Sequence, residues 1–408
     1  MIHIAILGLG VVGSGTADLL TRNKELIKAR TGEEVNVKYV LDIRDLPDSP
    51  YHDKIVHDVN VILDDPEVAV VIETIGGSHP AYDFSMQALK KGKHVVTSNK
   101  EVVANFGDTL LATAKENKVS YLFEASVGGG IPVLRPIYTD LASNNISEIV
   151  GILNGTTNYI LTRMKNGGVS FEEALSEAQK NGYAEANPTA DIDGIDACRK
   201  ICILSALATG KLVDTSCVHT EGISGIRSED VLAADKIGHS IKLLGRAIMR
   251  ENSEKFIMVC PYMISNEHPL YSVEDVFNGV CVTGDFVGDV MFYGRGAGAA
   301  PTASAVCGDV FNLIAGNCRS SENLCWEKAD AAYVSDFSFF VTKRYLSFTE
   351  TDRNAAQVIF GDVSFIDGAE NEVSFITDAM SESELNDKMM RLCSAGAKLA
   401  SHIRVLSL

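Results

Sequence analysis

The first fifteen residues constrain the fold of this chain more than any other segment. Residues 2–7 form a short apolar run that predicts a β-strand, and a glycine-rich turn and a helical pattern follow at once. The turn has the spacing G-x-G-x-x-G, and its key positions are Gly8, Gly10, Val11, Val12 and Gly13. In this context the glycines permit a tight turn, a close approach of pyrophosphate to the backbone, and close packing of helix and strand. The pattern predicts dinucleotide binding; the alternative is a glycine-rich turn in another α/β protein.

The second predicted strand, residues 35–41, follows a predicted helix of about 15 residues and ends at a group of charged residues. In a dinucleotide-binding fold, the chain meets the adenosine ribose at this point. An acid such as Asp42 accepts from the ribose 2′-hydroxyl and favours NAD, whereas Arg44 can hold a 2′-phosphate and favours NADP. Both residues are present, so the pattern predicts NADP or NAD without deciding between them. Arg44 could equally be a solvated loop charge.

Strands and helices continue to alternate over the first 125 residues. Apolar runs predict strands over 68–75, 94–97 and 119–123, and helical patterns connect them. This alternation predicts an α/β fold with a doubly wound parallel sheet. Ligands bind at the carboxyl ends of such strands, and the residues predicted there are Gly8, Thr74, Ser98 and Lys100.

Composition limits the remaining possibilities. A chain of 408 residues predicts two or three domains, and its net charge of −18 disfavours nucleic acid and anionic membranes as partners. No apolar run reaches the roughly 18 residues of a membrane span. The chain enters a strand directly, so no signal peptide is expected. Nine cysteines without a C-x-x-C pair favour a reducing, cytoplasmic location.

Several longer motifs occur in the order found in homoserine dehydrogenases. They are VIETIGG, HVVTSNKEVVAN, FEASVGGGIPVLRP, GILNGTTNYI, GYAEANPTADIDGIDACRKI and GRGAGAAPTASAV. The chain resembles this family over about residues 2–315. The resemblance implies NAD(P)H-dependent reduction of L-aspartate 4-semialdehyde to L-homoserine, and the reverse, on the route to threonine and methionine. We expect the monofunctional form, because no kinase-like segment precedes the glycine turn.

The resemblance also implies a domain plan. Residues 1–125 would form the dinucleotide-binding domain, with a helix over 301–320 returning to it. Residues 126–300 would form a mixed α/β substrate-binding and dimerisation domain, and residues 333–408 a small α+β domain that resembles a degenerate ACT domain. The family assembles through its second domain, so a homodimer or a larger homo-oligomer is expected.

The segment from Tyr183 to Lys200 has the groups that an amino-acid substrate needs. Such a substrate requires anions for its ammonium group, and its carbonyl requires a proton donor for the alkoxide that hydride transfer creates. Asp196 and Lys200 stand four residues apart, on one face of a predicted helix that begins near 191–193. The pattern alone would also describe a solvated acidic helix start with a surface ion pair.

By resemblance, Lys200 is the proton donor to the carbonyl oxygen. Lys100 would lie near the nicotinamide and substrate and assist proton transfer; otherwise it is an exposed lysine at a helix start. Glu185 would bind the substrate amino group. The other substrate-binding residues implied are Thr157, Tyr183, Asp191 and Asp196.

Residues 124–132 form a glycine-rich segment that is predicted to cross between domains and is typical of a hinge. In the family this segment also wraps a monovalent cation, Na⁺ or K⁺, through one glutamate side chain and backbone carbonyls. The matching positions are Glu124, Val127, Gly129 and Ile131. The resemblance further places Gly298 beside the nicotinamide end of the cofactor, whereas its residues alone indicate a flexible loop.

The last 75 residues alternate like strands over 337–348, 363–366, 372–377 and 403–406. A helix is predicted over 383–400, with Leu399 on its apolar face. Residues 352–355 read Asp-Arg-Asn-Ala, where ACT domains usually have Asp-Arg-Pro-Gly. Losing this glycine, which lets the backbone approach a ligand, leaves two alternatives: a weak effector site or a structural appendage.

Two other functions compete with the assignment as a homoserine dehydrogenase. One is a non-catalytic regulatory protein on the same scaffold, and the other is a related Rossmann dehydrogenase acting on another amino-acid semialdehyde. Retention of the complete polar set favours the homoserine dehydrogenase, and its members are Lys100, Glu185, Asp196 and Lys200.

Overall fold

The computed structural model describes residues 1–250, 254–317, 323–367, 369 and 371–406. The strands, in chain order, are β1 (Ile2–Leu7), β2 (Val35–Leu41), β3 (Ile55–Val56), β4 (Val68–Glu73), β5 (His94–Thr97), β6 (Tyr121–Leu122), β7 (Ile146–Ile152), β8 (Lys211–Leu212), β9 (His219–Thr220), β10 (His239–Ile248), β11 (Phe256–Ser265), β12 (Phe277–Gly284), β13 (Gly288–Arg295), β14 (Glu327–Lys328), β15 (Val341–Thr349), β16 (Ser364–Ile366), β17 (Val373–Ile376), β18 (Met380–Ser381) and β19 (Lys398–Leu406). The α-helices are α1 (Val11–Arg22), α2 (Lys24–Thr31), α3 (Asn60–Leu63), α4 (Ala81–Lys90), α5 (Lys100–Glu116), α6 (Leu134–Tyr138), α7 (Gly155–Gly167), α8 (Phe171–Lys180), α9 (Thr189–Ile192), α10 (Ile195–Thr209), α11 (Ser228–Lys236), α12 (Ala299–Ile314), α13 (Arg353–Phe360) and α14 (Glu382–Ser394).

The chain divides into two compact units. The first comprises Met1–Asn145, Cys202–Thr215 and Gly294–Asp330, and the second comprises Ile146–Ile201, Ser216–Tyr293 and Ala331–Leu408. No helix among the described residues is both long and apolar enough to cross a membrane.

The first unit is built on a six-stranded parallel sheet in the order β3-β2-β1-β4-β5-β6. This order, 3-2-1-4-5-6, is that of the doubly wound dinucleotide-binding fold. The predicted α/β fold with a doubly wound parallel sheet is confirmed. Strands β1 and β4 read as nearly unbroken apolar runs because helices cover both faces of a parallel sheet.

The predicted strand bounds in the first unit are confirmed for some strands and wrong for others; β4 ends at Glu73 and not at the predicted residue 75. β1, β2 and β5 have the predicted bounds, whereas β6 is shorter than the predicted 119–123. Two short elements between β2 and β4 were missed, namely β3 and α3, because two and four residues are too few to show a period. The connection after β1 is a pair of helices broken at Asn23 rather than one helix of about 15 residues.

Helix α1 packs closely on the first strand and on α12. A Cβ atom at Gly13 would lie 2.0 Å from the carbonyl oxygen of Gly8, so only glycine fits there. A Cβ at Gly15 would lie 3.3 Å from the Ala303 side chain of α12. The predicted return helix over 301–320 thus corresponds to α12, Ala299–Ile314; residues 318–320 lie outside the described residues.

The second unit is built on a long mixed sheet in the order β13-β12-β7-β10-β11-β19-β15-β17-β16. Strands β10 and β11 pair antiparallel along ten residues and lie almost entirely out of solvent. The core on this sheet includes Leu244, Met258, Tyr262 and Leu270.

Apart from the two-residue strand β18, the C-terminal elements have the order β15-α13-β16-β17-α14-β19. Their strands stand side by side as β19-β15-β17-β16, and each neighbouring pair is antiparallel. This is the βαββαβ arrangement of ferredoxin-like domains. β19 also pairs parallel with β11, so these strands extend the sheet of the second unit.

The predicted helix over 383–400 is wrong at its C-terminal end. Helix α14 ends at Ser394, and Gly396 has φ +108°, a backbone conformation that glycine adopts easily. Leu399 lies in β19, which begins at Lys398 rather than at the predicted Ile403. The apolar spacing that placed Leu399 on a helix face arose by coincidence from the start of an alternating strand.

Candidate active site

A cleft of about 480 Å³ opens at the carboxyl ends of the parallel strands in the first unit. Its lining combines the glycine turn, the end of β2 and the segment after β4; the residues are Gly8, Gly10, Leu41, Asp42, Ile43, Arg44, His57, Val59, Thr74, Ile75, Gly76, Pro80 and Phe84. Ligands of doubly wound sheets bind at this place. The cleft can therefore accommodate a dinucleotide.

The glycine turn gives a ligand access to the start of α1. Gly10 precedes the helix, whose first residues are Val11 and Val12, and a Cβ atom at Gly10 would meet nothing within 4 Å. The N–H groups of a helix start attract phosphate. Thr74 braces the turn, because its hydroxyl donates to the carbonyl of Gly8 at 2.8 Å.

Asp42 and Arg44 form a compact pair at the end of β2. The buried Asp42 carboxylate accepts from the backbone N–H of Leu9 at 2.9 Å and from Arg44 Nε at 2.9 Å. The guanidinium of Arg44 holds the pKa of Asp42 well below its usual range. Arg44 therefore lines the cleft as the ion-pair partner of Asp42, and its side chain is 55% exposed in a loop, so its role in cofactor preference stays a prediction.

His57 also lines this end of the cleft, and sequence analysis assigned it no role. Its Nδ1 lies 2.7 Å from the carbonyl oxygen of Asp42, and this hydrogen bond raises the pKa of the imidazole. No spacing rule identifies His57, because the segment that carries it folds back only in the tertiary structure.

The predicted Ser98 and Lys100 follow β5, the neighbour of β4. Lys100 is the first residue of α5, and the helix is capped by Asn99, whose side chain accepts from Val102 N–H at 3.2 Å. Lys100 is half-buried at this helix start, and its role stays a prediction.

In the second unit, Lys200 and Asp196 form a buried ion pair. Lys200 Nζ donates to Asp196 Oδ2 and to the carbonyl oxygen of Leu153, both at 2.7 Å. Both residues are almost fully buried: 7% of Lys200 and 4% of Asp196 is exposed. The interpretation as a solvated surface pair is therefore wrong, and the predicted helix face is confirmed.

Asn154 joins this pair to Asp191, and sequence analysis missed its role. Asn154 Nδ2 donates to Asp191 Oδ1 at 2.7 Å and to Asp196 Oδ2 at 2.9 Å. Its Oδ1 accepts from the backbone N–H of Thr157 and caps α7. An asparagine before a helical pattern signals a cap, but only the tertiary structure brings its amide to two carboxylates.

Asp191 lies in a separate short helix, α9. The helix predicted to begin near 191–193 is divided at Gly194, which has φ +80°, and α10 begins at Ile195. Burial is the main cause that raises the pKa of Asp191, and the charge of Asp196 adds to it.

The other predicted substrate residues differ in placement. Thr157 is buried, and its hydroxyl donates to the Asn154 carbonyl at 3.1 Å. Tyr183 is 45% exposed, and its ring lies 4.9 Å from that of Tyr159. Glu185 is exposed.

The glycine-rich crossing begins with the buried Glu124. Its carboxylate accepts from the backbone N–H groups of Leu134 and Arg135 at 2.9 and 2.7 Å, and burial raises its pKa. Gly129 has φ +55°, and a Cβ there would lie 2.5 Å from the Gly296 carbonyl oxygen. A nearby cation would favour the ionised form of this buried carboxylate.

Two remaining features bear on function. Gly298 has φ +116° and directly precedes α12. His219, Glu221 and Cys260 bring potential metal ligands within 4.8 Å of one another. However, Arg404 donates to both Glu221 oxygens, so a guanidinium already supplies the cation in this cluster.

Comparisons with known proteins agree with this geometry. A family model described as "Homoserine dehydrogenase" matches residues 132–311, and one described as "Homoserine dehydrogenase, NAD binding domain" matches residues 8–124. A homoserine dehydrogenase of Synechocystis sp. is 44% identical over 363 residues, which cover 86% of this chain and 83% of the relative. That of Bacillus subtilis is 43% identical over 318 residues, covering 77% and 73%.

Solved structures give the same result. The chain is similar to a homoserine dehydrogenase from Thiobacillus denitrificans, with a TM-score of 0.89, 35% identity, and coverage of 100% of this chain and 98% of that one. It is also similar to a hyperthermophilic archaeal homoserine dehydrogenase in complex with NADPH, with a TM-score of 0.66, 27% identity, and coverage of 76% and 97%. With these relatives, a dinucleotide cleft and a buried lysine–carboxylate pair, the chain belongs to the homoserine dehydrogenase family, NAD(P)-dependent oxidoreductases of amino-acid biosynthesis.

Proposed function

We propose that Lys200 is the proton-transferring group in the interconversion of L-homoserine and L-aspartate 4-semialdehyde. The observation that carries this role is its buried pair with Asp196 at 2.7 Å. A lysine held by a buried carboxylate keeps a fixed direction and a proton to donate. In aldehyde reduction, the ammonium gives its proton to the oxygen that becomes the homoserine hydroxyl, and it takes that proton back in the reverse reaction.

The nicotinamide cofactor, when bound, supplies or accepts the hydride at the substrate carbon. The residues proposed to hold it are those of the cleft in the first unit, with its pyrophosphate at the start of α1. Lys100 is proposed to assist proton transfer, and Gly298 to adjoin the nicotinamide end. The NADPH named in the archaeal neighbour supports a nucleotide of this class.

The substrate would be oriented by carboxylates. Glu185 is proposed to bind its amino group, with Asp191 and Asp196 completing the polar surroundings. Asn154 supports this arrangement because one amide group holds both aspartates. Thr157 and Tyr183 are proposed as further substrate contacts.

A monovalent cation is proposed at the turn formed by Glu124, Val127, Gly129 and Ile131, with a structural role. Its charge would offset the cost of burying the Glu124 carboxylate. A homodimer and a cytoplasmic location stay predictions. The exposed edge strand β13 and Phe286, which is 92% exposed, are compatible with assembly through the second unit.

Residues 333–408 are proposed to be an ACT-like domain without a working effector site. The βαββαβ order supports the ACT-like arrangement. The Asp352 side chain accepts from Ala355 N–H at 2.8 Å, at the helix start where an effector carboxylate would bind. A resident carboxylate there disfavours a second anion.

Lys200→Ala should lower kcat by about 10²–10⁴, the usual contribution of one general acid–base group. Binding of NAD and NADP should change by only a few fold, since Lys200 is not among the residues that line the nucleotide cleft. Homoserine oxidation followed at 340 nm and cofactor titration measure the two effects. Lys180→Ala, an exposed lysine at the end of α8, is the control. A near-parental kcat would show that another residue transfers the proton, and Lys100 would then be the first residue to test.

The same assay separates the competing functions. The purified protein should oxidise homoserine much faster than it oxidises other amino alcohols. An inactive but folded protein that binds cofactor would favour the regulatory alternative, and higher activity on another substrate would favour the related dehydrogenase.

Asn154→Asp should lower kcat by about tenfold or more, and it should also lower Tm, because it buries a third carboxylate beside Asp191 and Asp196. The aspartate keeps the oxygen that caps α7 but loses the N–H donors, and it repels Asp191 and Asp196; small misplacements of catalytic groups cost up to about 10²-fold. Asn154→Ala loses the cap as well, so it should lower both kcat and Tm. If Asn154→Asp keeps parental kcat, Asn154 acts only as a helix cap.

Arg44→Ala should weaken NADP binding by about 1.5–3 kcal/mol and NAD binding much less. Arg44 neutralises Asp42, so its removal both deletes a phosphate partner and leaves an acid that repels the 2′-phosphate. Calorimetric titration of both cofactors measures the difference. Arg22→Ala, with its side chain 80% exposed, is the control. Equal losses for NADP and NAD would show that Arg44 does not discriminate.

Millimolar threonine should leave activity nearly unchanged, because Ala355 and the Asp352 cap oppose effector binding at α13. Calorimetric titration of the full chain with threonine should show no saturable micromolar signal, and homoserine provides the positive control. Micromolar binding accompanied by inhibition would show a working sensor. Truncation before residue 333 should mainly reduce stability, because it exposes the edge of β11 that pairs with β19.

A further inference from the structure

Glu73, the last residue of β4, is a buried acid that the mechanism above does not use. None of its surface is exposed. It stands opposite Thr97, the last residue of β5, in the register of the two parallel strands. It therefore lies between the two segments that follow these strands, one lining the cofactor cleft and the other leading to Lys100.

The Glu73 carboxylate binds both of these segments. One oxygen accepts from the backbone N–H of Ile75, and the other accepts from the hydroxyl of Thr97, each at 2.6 Å. The Thr97 hydroxyl in turn accepts from the backbone N–H of Asn99 at 2.9 Å. One side chain thus links the segment after β4 to the segment after β5.

Asn99 closes the network from the other side. Its Nδ2 donates to the carbonyl oxygens of Ile75 and Gly77, at 3.0 and 2.8 Å, and its Oδ1 caps α5. Lys100, the first residue of α5, follows directly. The position of its backbone depends on hydrogen bonds that begin at Glu73.

We propose that Glu73 is a positioning residue whose ionised carboxylate holds the cofactor-cleft segment and the Lys100 segment together, so that its protonation loosens both. This inference rests on the proposed role of Lys100. An ionised carboxylate accepts from both Ile75 and Thr97. A protonated oxygen facing Thr97 must instead donate to its hydroxyl, which already accepts from Asn99, so the Thr97 proton loses its acceptor and the hydroxyl must rotate.

The surroundings of Glu73 bring the pKa of its carboxyl group close to neutral pH. Burial raises the pKa of Glu73 to about 7, although hydrogen bonds from Thr97, Ile75 and Asn99 lower it. The titratable group that faces it from β6 is Tyr121, whose buried hydroxyl has no hydrogen-bond partner within the described structure. Glu73 should therefore change charge near neutral pH.

Glu73→Gln tests the proposal, because glutamine resembles the protonated acid in shape and charge. The parental kcat for homoserine oxidation should rise as pH increases through about 7. The variant should lack this rise: near-parental kcat at pH 5.5 and about tenfold lower kcat at pH 8.5. Thr97→Val, which removes the hydroxyl partner, should show the same loss at high pH. Glu116→Gln, at an exposed position of α5, is the control and should keep the parental profile.

A stability measurement provides a readout independent of turnover. The folded-state pKa of Glu73 is about 7 and its ordinary value is 4.5, so the folded protein binds the extra proton between these values. Its contribution to stability is therefore lost as pH rises from about 4.5 to about 7. The Tm of Glu73→Gln relative to that of the parent should increase over this interval.

Two results would overturn the proposal. A parental pH profile of kcat in a folded Glu73→Gln variant would show that the carboxylate does not position the site. A constant Tm difference between pH 4.5 and 7 would show that Glu73 does not titrate there. Lys100→Ala tests the proposed role of Lys100 separately from the role of Glu73. An unchanged kcat in Lys100→Ala would contradict the role of Lys100, whereas the pH dependence of Tm in Glu73→Gln would still test the titration of Glu73.

Discussion

The close crossing of α1 over β1 is the constraint on which the first unit depends. Gly13 must lack a side chain because its Cβ would lie 2.0 Å from the Gly8 carbonyl oxygen. The same Cβ would lie 2.8 Å from the hydroxyl of Thr74, which braces that carbonyl. Thr74 follows Glu73, whose carboxylate reaches Thr97. A continuous set of contacts therefore runs from the glycine turn to the segment that begins α5.

In the second unit, charged residues occupy buried positions that apolar residues would fill at a lower cost in free energy. Taking Lys200 and Asp196 out of water costs several kcal/mol per ion, and their attraction offsets this only when the geometry is good and the other polar atoms are bonded. Asn154 and the Leu153 carbonyl provide two of those bonds. A buried ion pair is a poor source of stability, which is consistent with the proposed role of this pair in proton transfer.

Sequence patterns performed best where one local period decided the structure. The apolar runs of β1, β2 and β5 predicted their bounds, and the four-residue spacing of Asp196 and Lys200 predicted their shared helix face. The same reasoning failed for Leu399, because an alternating strand that follows a helix can continue its apolar spacing. It also missed β3 and α3, which are too short to show a period. The role of Asn154 was not visible because its two acceptors, Asp191 and Asp196, are distant in sequence.

The sequence by itself determined the parallel nucleotide-binding sheet, the glycine turn and the chemical identity of the polar residues in the family motifs. These depend on local rules: steric freedom at glycine, apolar periodicity, and the spacing of side chains on one helix. Only the tertiary structure decided that Arg44 is ion-paired with Asp42, that Lys200 is buried, and that Glu73 joins two strand ends. Each of these depends on groups brought together from separate segments, and burial then sets the cost of their charges. Desolvation depends on the whole surrounding structure, so no local pattern contains it.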